Sequence, residues 1–133
     1  MDLGLRGRVA IVAAASKGLG RAVAEELAQE GAHVAICSRE AKSIEGTAIE
    51  IQASTKQPVF WRALDVRQEE AIAAFVADVE REFGRVDICV TNSGGPPSNS
   101  FAETRVEDWR AAVDQLLMGT VFFARDAAAH EEK

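Results

Sequence analysis

The chain has few of the residues that would point to several common functions. Only two cysteines, Cys37 and Cys89, occur in 133 residues, and each lies inside an apolar run. That is too few for a disulfide framework, so both are expected to be core residues in a reducing, cytoplasmic setting. The two histidines, His33 and His130, have no ligand spacing to each other or to the cysteines, so no metal site is expected. No segment approaches the roughly 20 consecutive apolar residues a membrane span needs. The apolar stretch Val9 to Ala15, preceded by Arg6 and Arg8, could pass for a short signal peptide. It is barely long enough, and Gly18, Gly20 and an amphipathic segment follow at once, so a buried first strand is the better reading. Basic residues are outnumbered, 15 against 21 acids. That balance argues against a general nucleic-acid binder, which needs clustered Lys and Arg. There are no charge runs or repeats to suggest disorder or a solenoid.

What is present fits one compact domain. Short apolar runs alternate with amphipathic stretches four times. Val9 to Ala14 is a continuous apolar run, as expected of a strand covered on both faces. Leu19, Val23 and Leu27 then recur every four residues, which predicts a helix buried on that stripe and closed by Gly31. His33 to Cys37 is the second strand, and Ile44, Ala48 and Ile51 mark the next helix. Pro58 to Leu64 is the third strand. Ile72, Phe75, Val76, Val79 and Phe83 form the clearest helical stripe, ended by Gly84. Val86 to Thr91 is the fourth strand, and a loop rich in Gly, Pro, Ser and Asn runs to Ser100.

A last helix is expected to open on a Thr104–Glu107 capping box. Val106, Trp109, Val113, Leu116 and Leu117 are predicted to line its buried face. Glu131 and Glu132, near its negative dipole end, are expected to fray it. Strands separated by helices of this length give right-handed βαβ units. The predicted fold is therefore α/β, a doubly wound parallel sheet of the Rossmann type with four strands.

The chemistry-bearing residues lie at the carboxyl ends of the successive strands. The first strand exits through Ala13-Ala14-Ala15-Ser16-Lys17-Gly18-Leu19-Gly20. Glycines there let the backbone approach a pyrophosphate, and the helix N-terminus offers free N–H groups and a positive dipole end. The second strand ends in Ser38-Arg39, where Ser38 could simply cap the next helix. The third ends in Asp65-Val66, where Asp65 and Gln68 could form a capping box. The fourth ends in Thr91-Asn92-Ser93-Gly94-Gly95-Pro96-Pro97, which on its own reads as a Gly-Pro turn. Ser16, Ser93 and Ser98 have no His/Asp partner set, which disfavours a hydrolase.

Taken in order, these segments resemble the short-chain dehydrogenase/reductase family, over the chain from about Leu5 onward. The first loop is similar to the family's T-G-x-x-x-G-x-G. Gly18 and Gly20 match its second and third glycines, while Ala13 and Ala14 replace its Thr and first Gly. Thr91 to Gly94 resembles N-N-A-G, and the T-N-S-G-G-P-P form is similar to a bacterial subgroup. The resemblance implies a dinucleotide cofactor held by Ala14, Ser16, Lys17, Gly18, Leu19, Gly20, Ser38, Arg39, Asp65, Val66, Asn92, Ser93 and Gly94. Asp65 would lie beside the adenine ring. The second strand ends in Arg39 with no acid for a ribose 2′-hydroxyl. Arg39 and Lys17 would instead meet a 2′-phosphate, so NADP(H) is expected over NAD(H). A methyltransferase, which usually carries an acid at that point, is disfavoured.

The resemblance covers the first half of a typical family member, and residues 1–133 are expected to be a partial dinucleotide-binding domain. Family catalysis uses a Ser after a fifth strand and a Tyr-x-x-x-Lys on the next helix, and this sequence contains no Tyr. The family's helical Asn falls at Leu116, whose spacing fits a core residue. The expected function is the NADP(H)-binding half of a short-chain oxidoreductase acting on a small carbonyl or alcohol. The alternatives are a non-catalytic nucleotide-binding module or an inactive truncated remnant. An unpaired fourth strand carrying Ile88 and Val90 favours self-association, so a homo-oligomer is expected.

Overall fold

The computed structural model describes residues 1–95 and 98–131. Pro96, Pro97 and Glu132 lie outside the described residues, as do the side chains of His130 and Glu131.

Strands β1 (Val9–Ala13), β2 (His33–Ser38), β3 (Val59–Ala63) and β4 (Ile88–Val90) alternate with helices α1 (Gly18–Gln29), α2 (Ala41–Thr55) and α3 (Glu69–Phe83). A final helical rod follows: α4 (Val106–Ala112), a π-helical stretch (Val113–Met118) and α5 (Gly119–Glu131). All pairings are parallel and the strand order is β3-β2-β1-β4. The order reverses at β1, which makes the crevice beyond β1 and β4 the topological switch point where such sheets bind ligands.

β1 is buried at every residue because it is central and covered on both faces. Alternation along β1 and β2 splits the core in two. Val9, Ile11, Ala13, Ala35 and Cys37 face α3 and α5, packing with Ile72, Phe75, Val76, Val79 and Phe123. Ala10, Val12, Val34 and Ile36 face α1 and α2, packing with Ala24, Ala28, Ile44 and Ile51. Helices therefore cover both faces, as the α/β doubly wound expectation requires.

Two helical faces differ from the sequence expectation. In α1 the buried residues are Gly20, Ala24 and Ala28, whereas Leu19 is 81% exposed and Val23 lies at the surface. Small side chains let α1 sit close on the sheet, and that close approach rotates the larger residues outward. In the last rod, Val106, Trp109, Val113, Leu116 and Leu117 are all exposed rather than buried. On that face Trp109 packs edge-to-face with Phe101, 6.0 Å between ring centroids. The rod is held to the core by Phe123 and Ala127 instead.

Cap positions also shift. α4 begins one residue later than expected, with Arg105 as N-cap, and Asp108 Oδ2 accepts the Arg105 N–H at 3.0 Å. Thr104 Oγ1 donates to the Ser100 carbonyl rather than capping. α3 opens on Gln68 and α2 on Glu40, so neither Asp65 nor Ser38 is a helix cap. β4 pairs only with β1 among the described residues, and its Ile88 and Val90 are half-buried against the α1–α2 layer.

Candidate nucleotide-binding site

β1 ends where its carbonyls must turn into α1, and the turn is tight. Ala14 occupies the left-handed region at φ 52°, and Gly18 does so at φ 62°. Glycine takes that conformation freely, whereas for alanine it costs about 1–2 kcal/mol. Ala14 stands where the resemblance places a glycine, and the chain adopts the glycine conformation regardless. Gly20 is required for a different reason. A Cβ there would lie 2.2 Å from the Ala14 carbonyl oxygen and 2.9 Å from Asn92 Nδ2. The turn is held from three sides. The Ala15 N–H donates to the Cys37 carbonyl at 3.1 Å. Asn92 Nδ2 donates to the Ala14 carbonyl at 3.4 Å, and Thr47 Oγ1 donates to the Ser16 carbonyl at 2.7 Å.

Around this turn the strand ends enclose a cleft of about 600 Å³. Eleven of the thirteen residues expected to hold a cofactor line it, spread over the ends of all four strands. The other two, Gly18 and Gly20, form the backbone of the turn and the first residues of α1. The wall also contains Glu40, Ser43, Leu64, Gly95 and Gln115, which sequence reasoning missed.

At the β2 end, the Ser38 hydroxyl is buried without a hydrogen-bond partner among the described residues. A buried orphan of this kind costs about 1–3 kcal/mol. It is the kind of atom a polar ligand group would satisfy. Arg39 and Lys17 line the same cleft, and neither has an ion pair among the described residues. The polar orphan and the two cations share this cleft with two carboxylates, Glu40 and Asp65.

At the β3 end, Asp65 sits in a side-chain turn, with Oδ1 accepting the Arg67 N–H at 2.9 Å. The Arg67 guanidinium donates to both carboxylate oxygens and holds the Asp65 carboxyl below its usual range, against the effect of burial. The positive charge of Arg39 acts in the same direction.

The short chain dehydrogenase family matches residues 8–133. The chain belongs to this family.

Among curated members, the hydroxynaphthalene reductase of Aspergillus fumigatus is 37% identical over 129 residues, 96% of this chain and 47% of that protein. An uncharacterized oxidoreductase of Staphylococcus saprophyticus is 32% identical over 118 residues, 89% of this chain and 50% of that one. Among solved structures, L-sorbose reductase from Gluconobacter frateurii, complexed with NADPH and L-sorbose, superposes with a TM-score of 0.93 at 32% identity. That match covers 98% of this chain and 49% of the other. The chain thus spans about half the length of the curated relatives it matches.

Within this short chain dehydrogenase unit, the last rod departs from expectation. Leu116, where the resemblance places the family's helical Asn, is exposed rather than core. Its neighbour Gln115 is the polar residue that reaches the cleft, where Nε2 donates to the Gly94 carbonyl. The π-helical stretch widens the turn at this point, as such stretches often do at functional sites. The only sequence signal for Gln115 is the polar pair Asp114-Gln115 interrupting an apolar stretch. For Thr47 the signal was clearer, since it falls on the buried Ile44–Ala48–Ile51 face.

Cys37 is buried, and burial pushes its thiol up to about 12, so it is an inert core group and not a nucleophile. No metal-binding cluster of His, Cys, Asp or Glu occurs among the described residues, and none of their helices is long and apolar enough to cross a membrane.

Proposed function

We propose that this chain supplies the dinucleotide-binding half of an NADP(H)-dependent short-chain oxidoreductase acting on a small carbonyl or alcohol. Residues 1–133 would then be a partial dinucleotide-binding domain. The observation that carries the cofactor preference is the β2 exit. The orphaned Ser38 hydroxyl, Arg39 and Lys17 lie together in the cleft; the strand ends on Ser38 without a carboxylate, and Glu40, which also lines the wall, follows Arg39 at the α2 N-cap. A 2′-phosphate supplies the anion and the acceptors that this cluster lacks. The complex of L-sorbose reductase with NADPH supports the same choice by analogy.

In this assignment the Ala14–Gly20 turn and the α1 N-terminus receive the pyrophosphate through the backbone N–H groups of the first helical turn. Asp65 and Val66 border the adenosine half, and Asn92, Ser93 and Gly94 border the β4 side of the cleft. Leu19, largely exposed at the cleft rim, offers an apolar surface to the ligand. The cofactor supplies hydride when bound, and this chain's part is to hold and orient it.

The T-N-S-G-G-P-P form further suggests the bacterial reductase subgroup. The exposed apolar face of Val106, Val113, Leu116 and Leu117 supports a homo-oligomer, and the low cysteine content supports a cytoplasmic setting.

Titration calorimetry tests the cofactor reading. NADPH is expected to bind at least about tenfold tighter than NADH, since one lost charge-assisted contact is worth about 1.5–3 kcal/mol. Arg39→Asp should narrow or reverse that ratio. Equal affinities, unchanged by the substitution, would refute the role given to Arg39.

A further inference from the structure

We propose that Thr47, a core residue of α2 outside the cleft, sets the preference for NADP(H) by fixing the Ser16–Lys17 peptide, so that Lys17 and Arg39 converge on one phosphate. This role rests on the 2′-phosphate assignment proposed above. Thr47 is the only polar residue buried in the core among the described residues, at 3% exposure, and it does not line the cleft. Its hydroxyl donates to the Ser16 carbonyl at 2.7 Å, across 31 residues of sequence. A helical threonine can instead return its hydroxyl to the carbonyl four residues back. Thr55 does so with Ile51 at 2.7 Å, and Thr120 with Leu116 at 2.8 Å. Thr47 leaves its own helix and reaches the loop.

Both ends of this bond are set by the fold. Ile44, Ala48 and Ile51 anchor α2 in the core on either side of Thr47. The same helix follows directly on Arg39, with Glu40 as its N-cap. Ser43 lies one turn before Thr47 on the same face and lines the cleft. On the loop, the Ala15 N–H is held by the Cys37 carbonyl and the Ala14 carbonyl by Asn92. Thr47 supplies the last tether before Lys17, which is exposed. A peptide unit is planar, so turning the Ser16 carbonyl toward α2 directs the Lys17 N–H the opposite way. That N–H has no acceptor among the described residues. One helix thus carries Arg39 at its entry and holds the peptide of Lys17 from its second turn. The N–H groups given to the pyrophosphate belong to the first turn of α1, beyond this tether, so loss of the hydroxyl acts on the 2′-phosphate contact.

The test compares NADPH with NADH by calorimetry on the full chain carrying Thr47→Val, which keeps the shape of the side chain, or Thr47→Ser, which keeps the hydroxyl. Thr47→Val is expected to weaken NADPH about fivefold, the size of one lost hydrogen bond, and to leave NADH within about twofold. The retained NADH affinity shows that the variant is folded. Thr47→Ser should keep the wild-type ratio. In a Lys17→Met background, Thr47→Val should no longer change the ratio, because the cation it positions is gone. Equal weakening of both cofactors by Thr47→Val overturns the proposal, since it limits Thr47 to a structural contact. So does a full loss of ratio in the Lys17→Met background, or a Thr47→Ser ratio as low as that of Thr47→Val. A wild type that does not prefer NADPH overturns the 2′-phosphate assignment as well. That pattern is distinct from a wild-type preference that Thr47→Val leaves intact, which overturns the role of Thr47 alone.

Discussion

Replacing Gly20 with alanine puts one methyl group where the structure has no room for it. An ideal Cβ at this position would lie 2.2 Å from the Ala14 carbonyl oxygen, 2.9 Å from the Ala14 carbonyl carbon and 2.9 Å from Asn92 Nδ2. Two of these neighbours are backbone atoms of the cofactor turn, so relief requires moving the turn or lifting α1 from the sheet. Overpacking of this kind costs about 1–3 kcal/mol, and the upper half applies where the obstacle is backbone. Against this, alanine in place of glycine within a helix gains about 0.5–1 kcal/mol. The net expectation is a loss of about 1–2 kcal/mol, with a larger proportional loss of NADPH affinity if the displaced atoms border the pyrophosphate as proposed above.

Gly46 provides the control. It lies within α2 with nothing inside 4 Å of its ideal Cβ, so Gly46→Ala should stabilise the chain by about 0.5–1 kcal/mol and leave binding unchanged. Urea melts of both variants, with NADPH titrations of the folded proteins, give the two readouts. A Gly20→Ala protein as stable as Gly46→Ala, with wild-type affinity, would refute the close approach between α1 and the β1 exit.

Three further outcomes are expected. Ala14→Gly relieves the left-handed alanine at φ 52° and should raise stability by about 0.5 kcal/mol, the strain released less the added chain entropy; a drop in the urea midpoint would contradict the strain. Thr47→Val removes the hydroxyl that donates to the Ser16 carbonyl, and should cost about 1 kcal/mol and weaken NADPH binding several-fold; wild-type affinity would show that the loop does not need this tether. Asp87 is subject to burial, which acts to raise it, but Arg85, the Val9 N–H and Arg8 outweigh that and hold its carboxyl below the usual range. A folded value below the unfolded one contributes stability above about pH 3.9 that is lost as pH falls through the folded value. Asp87→Asn should therefore cost about 1 kcal/mol at neutral pH and progressively less below pH 4 in chemical melts; a cost that does not fall with pH would exclude the ionised carboxylate as its source.

The sequence was informative where local chemistry and tertiary position coincide. The all-apolar run of β1 forces a central, doubly covered strand, and the polar clusters after each strand fall at the carboxyl end of the sheet, where parallel topology brings them into one cleft. The stripe Ile72–Phe75–Val76–Val79 is buried as its period implies. Periodicity misled where it ranks residues by size. In α1 the sheet selects Gly20, Ala24 and Ala28 because close approach favours small side chains, so Leu19 and Val23 lie at the surface. In the last rod an apolar stripe does not reveal what covers it, and a π-helical stretch has no Gly or Pro signature. Counting from Trp109 therefore pointed to Leu116, whereas the cleft is reached by Gln115. The Ser38 orphan, which carries the case for a 2′-phosphate, depends on the absence of any partner within reach, and only the folded chain can show that.

The central claim is that the cleft at the strand ends is the cofactor site. Backbone amide shifts mapped by NMR during an NADPH titration test it most directly. The account predicts saturable shifts at residues 14–20, 38–39, 65–66 and 92–94. A competing groove of about 550 Å³ lies between α2 and β3, lined by Ile49, Gln52, Lys56 and Trp61 among others. Shifts confined to that groove, or none that saturate, would contradict the claim.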